Sequence, residues 1–159
     1  MYILTNYLAY SITTILVFIA SWHLIWAFGI HWPFKNEEAL AKAVVGTRGI
    51  TKMPRKIASA GVAILLLIAA LWALLLRDLG PFSSPKFVDL LVGSAIAAVF
   101  TLRGVAGFMP AMERFTPEQP FLRRNRRYYS PLCILIGAGF FVLVAALPNW
   151  TWRLGLAGG

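Results

Sequence analysis

The chain has 159 residues, of which 59% are hydrophobic, with a mean hydropathy of +0.72 and a formal net charge of +9. So little polar residue cannot clothe a water-soluble globule, which excludes the ordinary soluble enzyme folds. The positive charge lies in loops beside apolar runs, the pattern that membrane insertion produces, so nucleic acid is not the expected partner.

Four apolar runs follow one another, near 8–32, 57–76, 87–109 and 131–150. Each is long enough to cover a hydrocarbon layer of roughly 30 Å at about 1.5 Å per residue. Hydrocarbon offers no hydrogen-bond partner, so each run is expected to be α-helical. The predicted fold is therefore all-α: an integral membrane four-helix bundle made of two helical hairpins, folded as a single domain over 1–159. The first run has no Lys or Arg before it and no small-x-small cleavage pattern after Ala20, and it reads as a span rather than a cleaved signal.

Loop 1, residues 33–56, carries Lys35, Lys42, Arg48, Lys52, Arg55 and Lys56. Asn36, Glu37, Glu38 and Gly46 predict a short surface helix within it, with a cap, acidic first turn and glycine stop. Loop 2 holds Arg77 and Lys86, and Asp89 is placed to cap the third span. Loop 3, residues 110–130, carries Arg114, Arg123, Arg124, Arg126 and Arg127, with a capping-box pattern at Thr116-Pro117-Glu118-Gln119. Pro120 argues against a long helix there, and the fourth span is expected to begin at Ser130-Pro131. Both halves of the chain share the plan of span, basic loop and proline-marked return, in the manner of a parallel repeat or by coincidence.

Loops 1 and 3 share a side, so the basic residues divide eleven against three, the three being Arg77, Lys86 and Arg153. The positive-inside rule puts those loops in the cytoplasm and both termini outside. Trp22, Trp26, Trp32, Tyr128 and Tyr129 fall toward the inner interface, and Trp72, Trp150 and Trp152 toward the outer one. Small residues predict where helices approach: Ala58 and Gly61 on span 2, Gly93, Ala97 and Gly104 on span 3, Gly137 and Gly139 on span 4.

Polar groups inside a membrane are costly and point to candidate sites. His23, Trp26, His31, Arg103 and Cys133 all fall near the inner ends of their spans, and they outline a polar pocket walled by aromatic rings. Arg103 reads either as a snorkelling side chain or as the anchor of an anionic group, with Glu113, Glu37 or Glu38 able to fold over it. His23 and His31 are too far apart along a straight helix, roughly 12 Å, to share a metal ion, and no metal or other cofactor is expected. Arg55, Lys56, Arg123, Arg124, Arg126 and Arg127 are the candidate contacts for anionic lipid headgroups. Acidic residues are few and peripheral, and no Ser-His-Asp set, paired carboxylates or phosphate-cradling glycine loop can be assembled.

The blocks His23-Leu-Ile-Trp26-Ala27-Phe-Gly29, Ala43-Val-Val-Gly46, Met53-Pro54, Leu102-Arg103-Gly104-Val-Ala-Gly107-Phe108 and Tyr129-Ser130-Pro131-Leu132-Cys133 stand in that order. In this the chain resembles a bacterial family of small four-span membrane proteins known only as a domain of unknown function. The resemblance implies the bacterial inner membrane and gives weight to His23, Arg103 and Cys133, but it supplies no activity. An acidic residue often precedes the last block in that family; Asn125 stands there in this chain, so no carboxylate role is carried over.

The leading expectation is a non-catalytic accessory protein that binds anionic lipid, or a membrane partner, at the cytoplasmic mouth. Its rivals are a membrane-embedded enzyme acting on a lipid or isoprenoid, with His23 as proton carrier, and a small transporter working as a homo-oligomer. The orientation has a direct check. A reporter active only in the cytoplasm, fused after Gly159, should be silent, and a signal from it would reverse the topology.

Overall fold

The structure is a computed structural model and describes residues 2–147. Helices form α1 (Tyr2–Ala27), α2 (Glu37–Val44), α3 (Lys56–Leu75), α4 (Lys86–Ala106), α5 (Pro110–Phe115), α6 (Phe121–Arg124) and α7 (Ser130–Ala145). A π-helical turn over Asn125–Tyr129 joins α6 to α7. Among the described residues there is no strand, and four helices are long and apolar enough to cross a membrane: α1, α3, α4 and the continuous run Phe121–Ala145. The chain is a multi-pass membrane protein.

Packing follows the hairpins. Helix α1 packs chiefly on α3 and α4 chiefly on α7, with lesser contacts of α1 on α7 and α3 on α4. This ring leaves α1 and α4 at opposite corners. The shared core runs through Ala9, Ile12, Leu16, Ala70, Ala73, Ile136, Phe140 and Leu143. Long apolar side chains such as Leu65, Val99, Leu135 and Phe141 face outward. That inversion suits a bundle whose surroundings are as apolar as its interior, where packing rather than water exclusion holds helices together.

The α4–α7 contact is a seam of small residues. A Cβ built on Gly104 would stand 2.8 Å from the Ser130 carbonyl oxygen and 2.9 Å from the Ile134 nitrogen, both backbone atoms that cannot yield. Gly137 lies as closely against Ala97 and Thr101, Gly93 against Val144, and Gly139 against Ile12 of α1. The expected close-approach residues of α4 and α7 therefore hold. Those of α3 do not: Ala58 is exposed and nothing lies over Gly61, while Ser59, Ala63, Ala70 and Ala73 are the buried small residues. Their spacing turns a different face of α3 toward α1, where Thr13 Oγ1 donates to the Ala70 carbonyl at 3.0 Å.

Several boundaries differ from expectation. Helix α1 starts at Tyr2 and stops at Ala27 because Gly29 takes φ +83°, so His31 and Trp32 lie beyond the helix rather than in its last turns. Loop 3 holds no capping box: Thr116 Oγ1 donates back to the Met112 carbonyl at 2.8 Å and closes α5 instead. The fourth helix starts at Phe121, directly after Pro120, and passes through Pro131 without breaking. A proline ring inside an α-helix collides with the carbonyl four residues back. The π turn widens the backbone there and carries the Ser130 N–H to the Asn125 carbonyl. The outer part of span 4, with Trp150, Trp152 and Arg153, lies outside the described residues.

Two charged side chains at the end opposite the basic loops are interior. Arg77 is buried, and it donates from Nε to Asn6 Oδ1 at 3.1 Å and from Nη1 to the Ala146 carbonyl at 3.0 Å, tying α1, α3 and α7. Asp89 is fully buried within the first turn of α4, not at its cap, which is Pro85. It accepts from Ser84 Oγ and lies 3.6 Å from Lys86 Nζ, where the positive end of the helix favours an anion. The burial of both side chains corrects the view of them as peripheral.

Replacing Gly104 with Ala should destabilise the bundle by about 1–3 kcal/mol, the usual range for overpacking. Gly61→Ala should be neutral or gain up to about 1 kcal/mol of helix propensity. Detergent-driven unfolding in mixed micelles measures both; a Gly104→Ala protein as stable as its parent would contradict the seam.

Candidate functional site

At the basic end, the close approach of α4 and α7 creates a small buried polar knot. Gly107 has no side chain to keep its neighbours away: a Cβ there would overlap Ser130 Oγ and stand 2.8 Å from Asn125 Nδ2. Asn125 is fully buried. Its Oδ1 accepts from Arg103 Nη2 at 2.9 Å and its Nδ2 donates to the Gly107 carbonyl at 3.1 Å. Arg103 Nη1 and Ser130 Oγ are buried and have no hydrogen-bond partner among the described residues. Arg103 is thus tied to the interior by a neutral amide. Glu113, Glu37 and Glu38 do not cover it: Glu113 pairs with Arg126, Glu38 pairs with Lys42, and Glu37 Oε1 accepts from the Met53 N–H.

The π turn positions what lies above the knot. Each residue of Asn125–Tyr129 turns through less angle than in an α-helix, so Asn125 faces inward while the neighbouring arginines reach the surface. Glu113, Gln119, Pro120, Leu122, Arg123, Arg126 and Arg127 line an open groove of about 900 Å³ between α5 and this segment. An ion pair of 2.9 Å between Arg126 Nη2 and Glu113 Oε2 joins the two walls. Arg127 lies over the Tyr128 ring, 5.5 Å from its centroid. Around α5, which carries Glu113 of the groove, Phe108, Met109 and Phe115 are exposed.

Loop 1 folds against the same end. Asn36 Oδ1 accepts from the Ala39 N–H at 2.9 Å, which caps α2, and Gly46 ends it at φ +71°. Glu118 joins the two loops: its N–H donates to the Gly46 carbonyl at 3.1 Å, and its Oε1 accepts from the Gly49 N–H at 2.9 Å. Phe121 fills the space over Gly46, and Tyr129 Oη donates to the Ala43 carbonyl at 3.4 Å. Arg124 packs over Phe34 at 5.7 Å, so this arginine fastens loop 1 and does not line the groove. Arg55 and Lys56 are exposed at the start of α3, Lys56 reaching beside Gly29.

The five pocket candidates divide into groups. His23 is half-buried and meets Trp26 edge-on at 5.1 Å, within an aromatic cluster that includes Trp22 stacked on Trp32 at 5.0 Å. Trp26 Nε1 donates to the Trp32 carbonyl at 3.3 Å, folding the chain after α1 back onto the helix. His31 is half-buried beyond that helix. Arg103 belongs to the Asn125 knot, and Cys133, also half-buried, lies on α7 within electrostatic reach of Arg103. No hydrogen bond or ring contact among the described residues joins the His23 cluster to Arg103. Sequence reasoning missed Asn125 as the partner of Arg103, Ser130 as the side chain packed on Gly107, and Glu113, Gln119 and Leu122 as groove residues. An uncharged amide in a run of arginines, opposite the Arg103-Gly104 and Gly107 block, was the available signal.

A family model described as "Protein of unknown function (DUF3995)" matches residues 16–140. No curated protein and no solved structure matches the chain.

The knot carries its own prediction. Asn125→Ala should cost about 1.5–3 kcal/mol, the worth of a buried hydrogen bond to a charged group. A double-mutant cycle with Arg103→Ala, read by unfolding in mixed micelles, should show coupling; strictly additive losses would mean that the amide does not hold the guanidinium.

Proposed function

The chain belongs to that family of proteins of unknown function, over a match that includes its second and third spans whole, the later half of the first and most of the fourth, and we propose that it is a non-catalytic membrane protein that holds an anionic lipid headgroup in the groove of its basic end. The observation that carries this reading is the groove itself, with Arg123, Arg126 and Arg127 on one wall and an apolar-edged short helix on the other. Guanidinium forks suit phosphate oxygens, and they accept them two at a time. Exposed Phe108, Met109 and Phe115 suit the zone where headgroups meet acyl chains.

In this proposal the basic end is cytoplasmic, the termini are outside and the membrane is the bacterial inner membrane, where anionic lipid is at hand. Each cation near such a surface contributes about 1 kcal/mol, reduced by salt. That attraction is shared by every loop cation; the groove adds geometry to it. Arg103, held by Asn125 below, supports the wall from which the arginines project, and the fold offers a lipid or a lipid-bound partner a fixed seat.

Native mass spectrometry of gently purified protein tests the reading. The parent should retain anionic phospholipid, and the triple variant Arg123→Ala, Arg126→Ala, Arg127→Ala should lose most of it. A variant with Arg48 and Lys52 changed to Ala should retain it, because neither residue lines the groove. Equal losses in the two variants would reduce the effect to net charge and remove the groove as a site.

A further inference from the structure

The charges in the groove are not equivalent, and their inequality narrows the ligand. Arg126 is engaged by Glu113 at 2.9 Å, so that pair brings no net charge to an incoming group. Arg123 makes no hydrogen bond or ion pair among the described residues and is exposed. Arg127 lies over the Tyr128 ring, 5.5 Å from its centroid, and makes no hydrogen bond or ion pair among the described residues, so its N–H groups are unclaimed. Positions 123 and 127 lie about one turn apart on the widened helix, on the wall of one groove. Two positive charges and two free forks therefore face the same space.

We propose that this groove selects a phosphomonoester dianion over a phosphodiester, an inference that rests on the lipid-headgroup reading above. A diester carries a single negative charge and two unesterified oxygens, enough for one fork. A monoester carries about −1.5 to −2 at neutral pH and three terminal oxygens, enough for both. Leu122 and Pro120 provide an apolar floor beside the charges, and the Gln119 amide stands at the same wall to meet a neighbouring hydroxyl or carbonyl oxygen. The same dianion occurs at the end of a lipid, as in phosphatidic acid, and on small soluble phosphate esters. The exposed Phe108, Met109 and Phe115 beside the groove favour the lipid.

The test uses the full chain in a neutral detergent, titrated with dioctanoyl phosphatidic acid and dioctanoyl phosphatidylglycerol by calorimetry or native mass spectrometry. At pH 7.5 the monoester should bind about tenfold tighter or better, the worth of one further hydrogen bond to a charged group. Its advantage should shrink toward pH 5, as the second phosphate proton, with a pKa of about 6, binds. Changing Arg123 and Arg127 to Ala should bring the two lipids level, while Arg124→Ala, whose side chain sits on Phe34, should leave the preference intact. Competition by glycerol 3-phosphate separates the sources: displacement only at far higher concentration assigns the site to a lipid, and displacement at equal concentration assigns it to a soluble ester. Equal binding of both lipids by the parent would overturn the dianion while keeping the headgroup function. No binding of either above dioctanoyl phosphatidylcholine would overturn both.

Discussion

A guanidinium cannot be left bare in hydrocarbon, and the rest of this molecule is arranged around that constraint. The chain contains one apolar bundle and a set of arginines that must stay at its edge or be tied inside it. Arg123, Arg126 and Arg127 stay at the edge, on a helical turn that projects from the bundle. Arg103 and Arg77 lie further in, and neutral oxygens bind them: Arg103 the Asn125 amide, Arg77 the Asn6 amide and the Ala146 carbonyl. Arg103 and Arg77 occupy opposite ends of the fold, and each ties different helices together.

The small-residue seam and the arginines depend on each other. Without Gly104 and Gly107, α7 could not approach α4 closely enough for Asn125 to reach both Arg103 and the Gly107 carbonyl. Without the π turn, Pro131 would break the fourth helix at the point where this contact forms. The run from Phe121 to Ala145 then holds the groove rigidly to the bundle, so that a surface site inherits the order of a membrane core. Loop 1 adds to that order through Glu118, Phe121 and Tyr129, which join it to the same segment.

Much of this was legible in the chain. Uniform apolar runs mark the four spans because nothing but a helix satisfies the backbone in lipid. The α2 helix was legible from local chemistry alone, in the Asn36 cap, the acidic first turn and Gly46. Other features were hidden because they depend on partners distant in sequence. Pro120 and Pro131 read as breaks, yet the π turn carries the helix past the second and the first merely precedes it. Arg77 read as a surface charge, since nothing local shows that Asn6 or the end of α7 would enclose it. His31 read as helical because the apolar run continues past Gly29, whose positive φ ends the helix first. The groove was legible only as a count of arginines. Which of them face it, and which are occupied by Glu113 or Phe34, is decided by folding.

The most direct measurement is the depth of the Phe121–Ala145 helix in a lipid bilayer. Nitroxide labels placed singly at 123, 127, 135 and 142 report collision with oxygen, which favours hydrocarbon, against a water-soluble nickel chelate. The account predicts that the chelate dominates at 123 and 127 and oxygen at 135 and 142, with the crossover between Tyr129 and Leu135. Oxygen-dominated labels at 123 and 127, or water-exposed labels at 135, would place the arginines away from the membrane edge and contradict it.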